Sequence, residues 1–137
     1  GFAGDGAFGI AVTELTAIGR EEWPAITMIV FRNYQWGAEK RNSTLWYSDN
    51  FVGTELDEGV SYAAIASACG LKGVQARTMD DLTDALDKAL KDQKAGKTTL
   101  IEALINQELG EPFRRDAMKA PVAVAGIDPA DMRPQDV

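Results

Sequence analysis

The chain has 137 residues, 45 % of them hydrophobic and 26 % charged, which is enough for one domain with a real core. A net charge of −7 and a pI near 4.5 oppose non-specific binding to nucleic acid or to anionic membranes. The absence of histidine excludes imidazole catalysis and His metal sites within the chain, and a single cysteine, Cys69, excludes an intrachain disulfide or a Cys metal cluster.

In chain order, Gly1-Phe2-Ala3 reads as the tail of a strand, followed at once by the turn Gly4-Asp5-Gly6-Ala7-Phe8-Gly9. Gly1 is no initiator Met and falls in a strand whose first half is missing, so the sequence reads as a fragment of a longer polypeptide. Phe8, Val12, Leu15 and Ile18 or Gly19 recur at helical spacing and predict one helix over 7–20, with Glu14 and Arg20 solvated. Trp23-Pro24 stops it, since the residue before proline avoids the α region. Ala25 to Phe31 is an apolar, β-branched run of strand length, expected as a buried parallel strand. Residues 33–60 carry no clean period but hold Tyr34, Trp36, Trp46, Tyr47 and Phe51; so aromatic a stretch reads as a long ordered loop, a kind that is often functional.

Ser61 caps a short helix through Cys69, with Tyr62, Ile65 and Ala66 inward, Cys69 a buried inert thiol and Gly70 at the end. Gly73 to Arg77 is a short strand. Thr78 with Asp81 is a capping signature for a helix through Lys94 whose inner face is Met79, Leu82, Leu86 and Leu90. Gly96 closes that helix, and Thr98 to Ile105 forms the next strand. The alternation is that of an α/β domain with a parallel sheet, over residues 1–107. Residues 108–137 hold Pro112, Pro121, Pro129 and Pro134 without amphipathic period, and are expected to pack over this domain or a partner subunit. No apolar run approaches the roughly 20 residues of a membrane span, and no leader pattern is present, so a cytoplasmic protein is the default.

Two stretches carry chemistry. Gly4 to Gly9 is a G-x-G-x-x-G turn running into a helix, which aims backbone N–H groups at a phosphate. Asp5 repels a diphosphate unless a divalent cation lies between them, and magnesium, bound through one or two protein groups plus phosphates, fits that gap. Asn33 ends the next predicted strand, and adjacent parallel strands end on one edge, so Asp5 and Asn33 are expected to be neighbours. Asn33 offers a side-chain oxygen and the turn after it a backbone carbonyl, that of Gln35. The rival readings are a dinucleotide-binding turn, with Arg32 at a ribose 2′-phosphate, and a purely structural turn. Arg114-Arg115 and Lys40-Arg41 read either as solvated pairs or as anion-recognising groups. Trp36 and Trp46 read as packing residues before substrate walls, and Glu39 and Glu55 have no assigned role.

Gly4-Asp5-Gly6, then Asn33 and Gly37, resembles the cofactor motif of thiamine-diphosphate-dependent enzymes. Three longer stretches, Phe31 to Asn42, Asn50 to Leu56 and Asn106 to Met118, resemble the sulfoacetaldehyde acetyltransferase family within that group, and the likeness covers nearly the whole chain. The resemblance implies a three-layer α/β/α, mostly parallel diphosphate-binding domain lacking its N-terminal strand or strands. It implies thiamine diphosphate held by Gly4, Asp5, Gly6, Ala7, Asn33, Gln35, Trp36 and Gly37, and Mg2+ on Asp5, Asn33 and Gln35. Gly6 and Ala7 present N–H groups to the diphosphate, and Arg114 or Arg115 takes the phosphate or sulfonate. The implied reaction converts sulfoacetaldehyde and phosphate into acetyl phosphate and sulfite; an acetolactate-synthase-like activity is the sibling alternative. The carboxylate that activates the cofactor is expected outside this fragment, on a pyrimidine-binding domain of a partner subunit in a homodimer or homotetramer, so the fragment alone is expected to be inactive. One departure is Arg32, where the wider group usually has a second Asn.

Overall fold

The computed structural model describes residues 1–20 and 22–107. Its elements are β1 (Phe2–Gly4), α1 (Asp5–Ile10), a 3₁₀ turn (Val12–Glu14), α2 (Leu15–Ile18), β2 (Thr27–Arg32), α3 (Gly37–Trp46), α4 (Tyr62–Ala68), β3 (Lys72–Ala76), α5 (Met79–Lys94) and β4 (Thr99–Leu104). The four strands form one parallel sheet in the order β1-β2-β4-β3.

The expected helix over 7–20 begins earlier, at Asp5, and is broken. Ala11 leaves the helical region (φ −112°, ψ 19°), and the β-branched pair Val12-Thr13 follows in a 3₁₀ turn. The apolar stripe nonetheless packs as its spacing suggests: Leu15 is buried with Val30, Tyr62, Ala66 and Leu100, and Phe8, Val12 and Ile18 lie against that cluster. On the opposite face of the sheet Ile29, Ile101, Ala76 and Ala103 meet Ala85 and Ala89 of α5. Helices thus cover both faces, the expected three layers.

α5 starts with a complete capping box, Thr78 Oγ1 accepting from Asp81 N while Asp81 Oδ2 accepts from Thr78 N. Its inner face differs from the expected one. Leu82, Ala85, Leu86 and Ala89 point inward, whereas Met79 and Leu90 are exposed. The alanines let the helix axis approach the strands, and Leu90 is one residue further round the cylinder. Cys69 is only half-buried, at the end of α4.

The stretch 33–60 is not all loop: Gly37–Trp46 is helical, hidden from a periodicity reading because its residues are mostly polar. The chain divides into two compact units, one of residues 1–36 and 55–107 and one containing 37–54. In the second, Lys40 Nζ lies 5.2 Å from the Phe51 ring centroid, and Ser48 and Asp49 take left-handed backbone angles after α3. The first carries the sheet and everything that follows.

Within it, α4 reaches the sheet through Gly73. A Cβ there would lie 1.8 Å from the Ala63 carbonyl oxygen, a backbone atom that no side-chain rotation can move. Gly73→Ala is expected to lower stability by about 3 kcal/mol or more, as a severe overpacking, read as a lower denaturation midpoint of the full-length polypeptide.

Candidate functional site

β1 and β2 pair in register with Gly4 opposite Phe31, so the residues that follow each strand leave the sheet side by side. Asp5 opens α1, buried (2 % exposed). Its Oδ2 accepts from Asn33 N (3.1 Å) and Tyr34 N (2.7 Å), and its Oδ1 accepts from Gly6 N at 2.9 Å. Asp5 and Asn33 therefore stand together at one sheet edge. Just past these two N–H groups the chain turns sharply, and Tyr34 takes a left-handed backbone angle there, φ 61°. A left-handed non-glycine residue costs about 1 kcal/mol or more. Leu56 N donates to Tyr34 O (2.8 Å) and an antiparallel bridge joins Gln35 to Glu55, so a second segment holds the turn.

The oxygens around this turn test a divalent cation. One head of the Asn33 amide sits 3.3 Å from Asp5 Oδ1 and 3.2 Å from Gln35 O. As nitrogen that head donates to both, and the other head accepts from Gln35 Nε2 at 3.2 Å. As oxygen it accepts from Gln35 N (3.3 Å) but faces two other oxygens, which is favourable only with a cation between them. Oxygens on neighbouring vertices of a magnesium octahedron are about 2.9 Å apart, given Mg–O bonds near 2.1 Å. Both separations from the Asn33 head, 3.3 and 3.2 Å, lie within a few tenths of an ångström of that. Among the described residues no three His, Cys, Asp or Glu side chains gather, so the donor set is one carboxylate with neutral oxygens, the kind magnesium completes with water and phosphates. The donor chemistry fits.

The other expected contacts are placed as follows. Gly4 is the exposed residue before α1, and Ala7 is exposed on its first turn. Gly6 is buried under the Trp36 ring, where a Cβ would come to 3.1 Å of Cδ2 and Cε3; this is the packing role expected of Trp36. Gln35 is buried, its Nε2 donating to Gln107 O (2.9 Å) while its Oε1 has no hydrogen-bond partner. Gly37 opens α3 in the other unit. Arg114 and Arg115 lie outside the described residues.

Sequence reasoning missed Glu102. It is fully buried in mid-β4 and forms an ion pair with Arg32, itself 2 % exposed. The same carboxylate accepts from Ser61 Oγ (2.8 Å), Tyr62 N and Ala63 N (both 3.2 Å) and Gln75 Nε2 (3.3 Å). Arg32 Nη2 also donates to the carbonyls of Asp57 (3.2 Å) and Glu58 (3.1 Å), and its Cζ lies 4.5 Å from the Tyr34 ring centroid. Burial pushes the Glu102 carboxyl up, but Arg32, then Ser61 and the α4 amides, outweigh it and hold it below the ordinary range. The signal was present: one carboxylate inside the apolar run Thr99 to Leu104 demands a buried partner.

The profile described as thiamine pyrophosphate enzyme, C-terminal TPP binding domain, matches residues 1–103. The chain is 85 % identical, over its whole length, to a sulfoacetaldehyde acetyltransferase of Roseovarius nubinhibens, and 46 % identical over 88 % of its length to one of Castellaniella defragrans. It spans 23 % and 20 % of those proteins, respectively. Among solved structures it is similar to benzoylformate decarboxylase from Polynucleobacter necessarius, with TM-score 0.69 and 27 % identity over 82 % of this chain and 20 % of that one.

Removing Arg32 alone strands a buried charge. Arg32→Met is expected to cost about 3–5 kcal/mol at neutral pH, and Arg32→Met/Glu102→Gln to recover much of it. The sign follows from the depressed carboxyl. In the unsubstituted protein its contribution is present above the unfolded value, near 4.3, and is lost as pH falls through the lower folded value. In Arg32→Met the deficit shrinks as pH falls toward 5, because protonation removes the unpaired charge. Denaturant titrations at several pH values check both.

Proposed function

The chain belongs to the C-terminal TPP-binding domain family of thiamine pyrophosphate enzymes, and on that footing we propose that it is the diphosphate-binding part of a sulfoacetaldehyde acetyltransferase. The overall reaction turns sulfoacetaldehyde and phosphate into acetyl phosphate and sulfite. The observation that carries the site is the convergence of Asp5 Oδ1, the Asn33 amide and Gln35 O at the tips of two adjacent parallel strands. The identity to relatives so named, sustained over the whole chain, supports the choice of substrate.

In this reading Asp5, Asn33 and the Gln35 carbonyl hold Mg2+, and the backbone of Gly4, Gly6 and Ala7 lies against the diphosphate. Trp36 walls the glycine turn. Bound thiamine diphosphate supplies a carbon nucleophile at its thiazolium ring that can stabilise negative charge beside a carbonyl carbon. This chain's residues bind and orient; the single carboxylate at the turn is committed to the cation, so proton transfer falls to groups elsewhere. Those come from a pyrimidine-binding domain of a partner subunit, in a homodimer or homotetramer of the full-length polypeptide. Arg114 or Arg115 takes the acceptor phosphate or the sulfonate, and the domain boundary falls near residue 107, just past the end of β4. No described helix is long and apolar enough to cross a membrane, and a cytoplasmic location belongs to the same proposal.

The dinucleotide alternative is disfavoured by Arg32. The group it needs at a ribose phosphate is buried and bound to Glu102. An acetolactate-synthase-like activity is separated by product: sulfite release from sulfoacetaldehyde, strictly dependent on phosphate.

The full-length polypeptide should bind thiamine diphosphate in a magnesium-dependent way by calorimetry, and Asp5→Ala should weaken that binding roughly 100-fold or more and abolish sulfite release. Normal cofactor affinity in Asp5→Ala would remove the metal assignment. Arg114→Met/Arg115→Met should raise KM for phosphate or for sulfoacetaldehyde at unchanged cofactor affinity; unaltered KM values for both would remove the arginines from the site.

A further inference from the structure

The third glycine of the opening turn, Gly9, has no task in the cofactor reading. In the fold it faces Tyr62: a Cβ at residue 9 would lie 2.7 Å from the Tyr62 hydroxyl oxygen. That hydroxyl passes over Gly9 and donates to the carbonyl oxygen of Asp5 at 3.0 Å.

The bond acts on the cation site through one rigid plane. The Asp5 carbonyl and the Gly6 N–H belong to the same peptide group, which does not twist. At one end of the plane the carbonyl accepts from Tyr62; at the other, Gly6 N donates to Asp5 Oδ1 (2.9 Å). Oδ1 is the oxygen that stands 3.3 Å from the Asn33 amide. Fixing the carbonyl therefore fixes the direction from which Oδ1 is held.

Tyr62 is itself fixed from several sides. Its backbone N donates to Glu102, its ring meets Phe8 edge-on (centroids 5.3 Å apart, interplanar angle 87°), and Arg32 Cζ lies 5.6 Å from its centroid.

We propose that Tyr62 is a positioning residue for the cofactor loop, its hydroxyl setting the Asp5–Gly6 peptide and thereby the Asp5 carboxylate, and that residue 9 is glycine to admit that hydroxyl. The inference rests on the reading of this loop as the magnesium and diphosphate site.

The test is calorimetric titration of the full-length polypeptide with thiamine diphosphate at fixed Mg2+, and of Mg2+ at saturating cofactor. Tyr62→Phe keeps the ring and removes the hydroxyl; it should weaken both roughly 5- to 10-fold, the affinity equivalent of about one neutral hydrogen bond, with the far-UV spectrum and apo melting temperature little changed. Gly9→Ala should weaken them further, by forcing the hydroxyl out of its notch. Adding Tyr62→Phe to Gly9→Ala should restore affinity to the level of Tyr62→Phe, because the methyl then has no hydroxyl to meet. Tyr62→Phe binding equal to the unsubstituted protein overturns the inference, as does a double variant no better than Gly9→Ala, or weakening that appears only with loss of the folded signal. If the unsubstituted protein itself shows no magnesium-dependent binding, the function reading fails first; if it binds and Tyr62→Phe binds equally, only the positioning role falls.

Discussion

The structure turns on one carboxylate oxygen. Asp5 Oδ2 takes the N–H groups of both Asn33 and Tyr34, and by doing so it joins the end of β1 to the end of β2. Neither strand end would hold that shape unaided. β1 is three residues long, and Tyr34 adopts a backbone region that L-residues avoid. A charge-assisted bond to a carboxylate contributes more than a neutral one, enough to offset the local strain. With Oδ2 occupied by the protein, Oδ1 faces the Asn33 amide and the Gln35 carbonyl. Fold and candidate site thus share one side chain: Oδ2 is given wholly to the protein, while Oδ1, also held by Gly6 N, faces the other two oxygens.

Glu102 is the contrasting case. It too is buried at the sheet, but its oxygens are taken by Arg32, Ser61, Gln75 and the first amides of α4. A carboxylate so fully satisfied has no capacity left for a ligand, and its depressed pKa reports that commitment. At Glu102 a perturbed pKa therefore marks a scaffold residue, whereas the candidate site is marked by oxygens that face one another. Geometry separates the two where titration alone would mislead.

Much of the fold was legible because local chemistry and tertiary packing agree. The Thr78–Asp81 capping box, the Ser61 cap, the left-handed Gly70 and Gly96 and the apolar runs of β2 and β4 are short-range signals that the structure keeps. The pairing of Asp5 with Asn33 was legible for a topological reason, since consecutive parallel strands end on one edge. What was not legible depends on partners distant in sequence or on patterns without contrast. α3 is too polar to show a period, and the inner face of α5 is set by alanines, which carry little hydrophobic signal and yet permit the closest approach. The break after Ile10 follows from weak helix formers inside an otherwise regular stripe. Glu102 was readable only as an anomaly, a charge in an apolar strand, and its partner lies 70 residues away.

Arg32 shows how a buried cation is accommodated at the end of a central strand. A neutral amide at that place needs only local hydrogen-bond partners; a guanidinium buried there needs a full counter-charge. Glu102 supplies that charge from the neighbouring strand, and Nη2 donates to the Asp57 and Glu58 carbonyls, in the segment whose Glu55 bridges to Gln35. The guanidinium face then rests over Tyr34, the strained residue of the turn, where a cation–π contact contributes on the order of 1 kcal/mol, comparable to the strain itself. Arg32 thereby braces the residue whose N–H holds Asp5.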